Sequence, residues 1–139
     1  MDSRNGIQFD VSEAPLVVVK YPRDASVEGL KTAFELYCEW SERYGRVGYV
    51  FDFRDFNPLT VSPLVRRTFA DLYDLNRHVL EPATVSEALV HSSKLVSGLS
   101  TAINWLTSRP HPQRQFTNYY EAMRWVHSTL VQDGATSGT

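Results

Sequence analysis

Few residues in this chain have types and spacing that could carry chemistry. Asp52, Arg54 and Asp55 follow the apolar run Val47-Gly48-Tyr49-Val50-Phe51. Two neighbouring carboxylates can work as acid and base or hold a cation. Here a basic residue stands between them, and no Gly-rich or Asp-rich frame surrounds them. Asp52 therefore reads as a partner for turn amides, with Arg54 and Asp55 solvated. His78, His91, His111 and His127 are far apart, and neither His-x-x-x-His nor Cys-x-x-Cys occurs. No metal is expected. The lone cysteine, Cys38, sits among Leu36, Tyr37 and Trp40 and reads as a half-buried small apolar residue. No Gly-x-Ser-x-Gly elbow, Gly-x-Gly-x-x-Gly turn or phosphate-binding Gly-Lys-Ser/Thr loop is present. No cofactor and no catalytic residue is expected, and the chain reads as a non-enzyme.

Two other groups invite a binding role. Phe53 and Phe56 flank a polar loop and could line an apolar pocket, with Asp52 and with His91 at the end of a later strand. Arg66, Arg67 and Arg77 gather on one helical segment. Their spacing to Asp71 and Asp74 reads as a salt-bridged outer face.

These residues must be positioned by alternating short apolar and longer amphipathic segments. Strands are expected at Ile7–Val11, Leu16–Tyr21, Val47 to Phe51 or Phe53, Val85–His91 and Arg114–Thr117. Ser26 caps a first helix that ends near Gly45. Ser62 caps a second, with Pro63 in its first position and Val65, Phe69, Leu72, Leu75 and Val79 as its inner stripe; Pro82 ends it. Ser92 or Ser93 opens a third, reaching Leu106, and Asn118 with Glu121 forms a capping box for a fourth. The order β-β-α-β-α-β-α-β-α predicts an α/β fold. Its sheet is mixed, mostly parallel and five-stranded, flanked by four helices, with the first strand antiparallel or at an edge.

The 139 residues suit one domain, expected over 1–131, with 132–139 as a disordered polar tail. Apolar residues make up 42% and the net charge is −2, so nothing draws the whole chain to nucleic acid. No apolar run approaches the roughly 20 residues of a membrane span, and no secretory signal is visible. A cytoplasmic location is the expectation.

Several stretches resemble the STAS domain of bacterial anti-sigma-factor antagonists, most of all its SpoIIAA-like branch, which shares its architecture with Sec14-type lipid-binding domains. They are Leu16-Val17-Val18-Val19, Val47-Gly48-Tyr49-Val50-Phe51-Asp52, Ala88-Leu89-Val90-His91, and Phe116-x-Asn118-x-x-Glu121-Ala122-x-x-Trp125-Val126. The likeness spans roughly Ile7 to Leu130. It implies a regulatory protein-interaction module in bacterial signalling. Docking would use the loop and helix start at 53–67, through Phe56, Leu59, Val61, Ser62, Arg66 and Arg67. In such antagonists an Asp-Ser-Ser-Gly-Leu motif carries a phosphorylated serine. Thr60-Val61-Ser62-Pro63-Leu64 is similar in placing Ser62 and Leu64 but departs at the other three positions. The resemblance thus implies Ser62 as a phosphorylation site, with a regulatory protein as partner; a homodimer is a separate expectation, since the edge strand or the helix face could pair. Its alternative implication is a carrier or sensor binding a lipid or apolar metabolite.

Overall fold

Leu16-Val17-Val18-Val19 is apolar on both faces and so belongs in the middle of a sheet. The computed structural model, which describes residues 2–4, 6–57, 60–92 and 109–137, places it there. The elements are β1 (Asp2–Arg4), β2 (Ile7–Glu13), β3 (Leu16–Lys20), α1 (Val27–Tyr44), β4 (Val47–Asp52), α2 (Pro63–Ala83), β5 (Thr84–Val90), β6 (Gln113–Phe116) and α3 (Tyr119–Ser137). One sheet holds the strands in chain order. Strands β1, β2 and β3 pair antiparallel, while β3, β4, β5 and β6 pair parallel. The expected mixed, mostly parallel α/β sheet is thus observed, with six strands instead of five.

The extra strand, β1, is three polar residues long and has no apolar alternation to reveal it. Arg4 pairs with Ile7, and Gly6 has φ of 82°. Asn5-Gly6 is the sequence signal for such a hairpin.

Period-two alternation splits the interior in two. On one face, Val17, Val19, Tyr49 and Leu89 meet Leu30, Ala33, Phe34, Tyr37 and Trp40 of α1 and Val65, Phe69 and Leu80 of α2. On the other, Leu16, Val18, Val50, Ala88 and Val90 meet Ala122, Val126 and Leu130 of α3. Gly48 lets α3 close on β4: a Cβ there would lie 2.5 Å from Val126 Cγ1.

Caps fix the helix ends. Ser26 Oγ accepts from Gly29 N–H at 2.9 Å, and Gly45, with φ of 73°, closes α1 on the Ser41 carbonyl. Ser62 Oγ accepts from Val65 N–H at 3.1 Å, with Pro63 following. Pro82 lies within α2, one residue before its end, so the helix closes just after it at the loss of one ladder hydrogen bond. Leu75, expected inside, is 70% exposed. It falls about 120° round the helix from Phe69, off the buried stripe.

The closing helix runs to Ser137, into the expected tail of 132–139. Arg46 holds it, donating from Nε to Asp133 at 3.0 Å and from Nη2 to the Leu130 carbonyl. The helix expected from Ser92 or Ser93 to Leu106 falls on 93–108, outside the described residues. No described helix is long and apolar enough to cross a membrane.

Candidate functional site

The strand-end carboxylate is occupied. Asp52 is buried and accepts from Arg54 Nε at 2.9 Å, Arg54 Nη2 at 2.7 Å and the Arg54 amide at 3.1 Å. The guanidinium lies 5.2 Å from the centroid of the Tyr119 ring. Asp52 thus belongs to the α3 side of the sheet, whereas Phe53 packs in the opposite core. The expected pocket of Asp52, Phe53 and His91 is not formed. His91 is buried beside the Ser92 carbonyl, and only Phe53 lines the cavity described below.

The loop and helix start at 53–67 are less open than expected. Phe56 is 3% exposed, with ring centroids 5.6 Å from Phe53 and 6.1 Å from Tyr21, so it packs the loop down and offers no docking contact. Val61 and Arg66 are half-buried; Ser62 and Arg67 are exposed. Leu59 lies outside the described residues. Leu64, between Ser62 and Arg67, is 61% exposed.

A different site emerges around Glu87. The register aligns Val17, Tyr49, Glu87 and Gln113 in one row across β3, β4, β5 and β6. Strands lie about 4.8 Å apart, so Tyr49 and Gln113 flank Glu87 on the face covered by α1 and α2. The loop before β6 then adds Arg109 and His111. His111 Nε2 makes a close contact with Glu87 Oε1, and Arg109 Nε lies 3.8 Å from the same oxygen. All three side chains are nine-tenths buried, at 8% exposure for Glu87, 7% for Arg109 and 6% for His111. From α2, the Tyr73 ring lies 3.6 Å from the Arg109 guanidinium. The group surrounds a cavity of about 40 Å³, walled also by Phe34, Phe51, Phe53 and Phe69.

Four polar atoms on these lining residues are buried without a hydrogen-bond partner among the described residues: Tyr49 Oη, Tyr73 Oη, His111 Nδ1 and Gln113 Nε2. Buried polar atoms are nearly always paired, and an orphan asks for water or ligand. Ser41 is near enough to Tyr49, and Glu81 to Tyr73, to influence their acidity, yet neither pair has hydrogen-bond geometry. Ser41 Oγ instead donates to the Tyr37 carbonyl.

Burial makes the lining tyrosines weaker acids. Loss of solvation pushes Tyr21 and Tyr73 up to about 12. It holds Tyr37 and Tyr49 well above the ordinary phenol value. All four therefore keep their protons at neutral pH, and the Tyr21 and Tyr37 hydroxyls satisfy one another at 2.9 Å. No group of three or more His, Cys, Asp or Glu able to hold a metal occurs among the described residues.

Glu87, Arg109 and His111 were not singled out by motif or spacing. A signal existed at Glu87, an acid inside the strand Thr84–Val90 whose neighbours are buried. Such an acid must find partners in the fold. Which partners it finds depends on the parallel β5–β6 pairing, which brings 111 beside 87.

No protein-family model matches the chain. No curated protein matches it either. In structure it is similar to an uncharacterized protein of the DUF3478 family from Shewanella loihica PV-4, described as having a SpoIIAA-like fold. The TM-score is 0.63 at 14% identity, over 91% of this chain and 98% of that one. The chain has a SpoIIAA-like fold, as the STAS resemblance implied.

Proposed function

We propose that this domain is a non-catalytic binding module that holds a small polar molecule in the cavity around Glu87. The observation that carries this reading is that four of the residues lining one cavity each hold a buried polar atom without a hydrogen-bond partner among the described residues. A binding role is favoured over catalysis because His111 and Arg109 both already engage Glu87 Oε1. The lipid or apolar metabolite of a Sec14-type carrier suits the site poorly. Its interior holds a carboxylate, a guanidinium and an imidazole, and about 40 Å³ is too small for an acyl chain. A ligand-observed NMR screen of small metabolites tests the reading. Hits are expected to bind the full chain and to weaken in Tyr49→Phe. A screen with no hit sensitive to that substitution sinks the proposal.

A second reading rests on Leu64, an apolar side chain 61% exposed beside exposed Ser62 and Arg67. It makes the start of α2 a docking surface for a regulatory protein that presents an apolar contact flanked by acids. Helix α2 would connect the two roles, since Phe69, Tyr73, Leu80 and Glu81 further along it line the cavity. In this reading Ser62 is a cap first, and a phosphate there would sit at a helix N-terminus while altering the docking charge. Capture of the partner by wild type and its loss in Leu64→Asp is the expected outcome. Equal capture by both removes the surface from consideration. A concentration-dependent mass in sedimentation would instead assign the surface to a second copy of the chain.

A further inference from the structure

We infer that two copies of this chain pair through the exposed stripe of α2 from Leu64 to Leu75, antiparallel and about a two-fold axis. The inference rests on the second reading above, in which the start of α2 is a docking surface, and gives that surface a second copy as its occupant.

The first argument is where the exposed apolar side chains fall. Leu64 is 61% exposed and Leu75 is 70% exposed. Eleven residues make three turns, so the two lie within about 20° of one another round the helix and about 16 Å apart along it. Thr68 and Asp71 stand between them, and the steps of four, three and four residues are those of a helix-pairing seam. The leucines thus share one outer line of α2, away from the core stripe of Val65, Phe69 and Leu80.

Self-complementarity is the second argument. A two-fold axis crossing α2 midway between the leucines, level with Phe69 and Ala70, sets Leu64 against Leu75 of the second copy and Leu75 against Leu64. The same operation brings Arg67 within one residue of the level of Asp71 of the second copy, on the same flank, and does so twice. Arg67 and Asp71 are both exposed. Neither has an ion-pair partner among the described residues, whereas Asp74 is engaged by Arg77 at 2.8 Å. A parallel pair would instead set Asp71 against Asp71, and like charges facing one another oppose association.

Helix α3 supplies the third argument by contrast. Tyr120 and Val131, 75% and 58% exposed, also stand three turns apart on one outer line. Between them lie exposed Arg124 and His127. Pairing α3 with its own reverse would set Arg124 against His127, with no acid on the line. Of the two stripes, only that of α2 matches its own reverse in charge. A contact along one helix about 31 Å long falls at the small end of specific interfaces, so the dimer is reversible.

Sedimentation of the full chain over a range of concentrations tests the inference. The expected result is a monomer–dimer equilibrium with Kd between about 1 µM and about 1 mM. Leu64→Asp and Leu75→Asp should each weaken it at least about tenfold, with unchanged far-ultraviolet circular dichroism. Arg67→Asp alone and Asp71→Arg alone should each weaken it as much. An equimolar mixture of those two variants should dimerise again, because one brings only acids to the contact and the other only bases. Tyr120→Asp should leave the dimer as in wild type. In a Cys38→Ser background, Leu64→Cys and Leu75→Cys chains should form a disulfide-linked dimer when mixed and oxidised, and neither should do so alone. A dimer that the charge-swapped mixture does not restore overturns the antiparallel pairing. Mass that grows past the dimer, or a dimer lost in Tyr120→Asp, assigns a head-to-tail contact with α3 and overturns it too. A chain that stays monomeric at every concentration overturns the inference alone if partner capture is still lost in Leu64→Asp, and takes the docking surface with it if capture is unchanged.

Discussion

Tyr49 is the residue at which the proposed binding role and stability separate most cleanly. Its hydroxyl is buried and unpartnered among the described residues, so it contributes desolvation cost without a compensating bond. Replacing it with Phe keeps the ring, which stacks on Phe51 at 5.2 Å and meets Tyr37 edge-on at 5.5 Å. Tyr49→Phe should therefore leave the ligand-free domain as stable as wild type, or more stable by up to about 1 kcal/mol, in urea unfolding. A loss of about 1 kcal/mol would mean that the hydroxyl has a structural partner after all. Residues kept against their own stability are a mark of binding sites. Asp52 is the contrasting case: its carboxylate has both oxygens engaged by Arg54, and the sequence reading of it as a structural turn residue matches its environment.

At the scale of elements, two contacts decide how helices seat. Helix α3 approaches β4 at Gly48, where an added methyl meets Val126, whose β-branched side chain has little room to turn, and Leu130 at 3.0 Å. Gly48→Ala should cost about 1–3 kcal/mol, the usual effect of overpacking, and should lower the unfolding midpoint without changing the slope of the denaturant curve. Helix α2 begins on the Ser62 cap. Ser62→Ala should cost about 1 kcal/mol, whereas Ser62→Asp should hold stability near wild type, because aspartate caps as well and favours the helix dipole. If Ser62→Ala were neutral in thermal unfolding, the cap would contribute nothing and the serine would need another reason to be there.

For the whole molecule, the buried tyrosines set a behaviour with pH. Tyr21 titrates near 12 in the folded chain against an ordinary value of 10.0, because burial penalises the phenolate. Tyr37 and Tyr49 are raised for the same reason. Above pH 10 the unfolded chain loses these protons while the folded one keeps them. The unfolded state then binds fewer protons, so stability falls as pH rises. The contribution is present in full below about pH 10 and is lost as pH climbs toward 12. Alkaline titration should show tyrosinate absorbance from these residues appearing together with loss of secondary structure. Smooth ionisation of every tyrosine in a chain that stays folded would contradict their burial.

The sequence by itself determined the alternation of strands and helices, the caps at Ser26 and Ser62, the central place of Leu16–Val19 and the SpoIIAA-like likeness. Each of these depends on local periodicity or on a few adjacent residues, and such patterns survive without knowledge of the partners. It could also have shown β1, through Asn5-Gly6, had a three-residue polar strand not lacked the alternation that marks longer ones. Phe56 was legible as an aromatic in a polar loop, but whether it faces solvent or core depends on Tyr21 and Phe53, which come from other segments. Only the tertiary structure decided the site. Glu87, His111, Arg109, Tyr49, Tyr73 and Gln113 come from three strands, a helix and a loop, and no spacing in the chain announces their meeting. Cross-strand register and helix seating bring them together, and the burial that follows turns ordinary polar side chains into unpartnered ones.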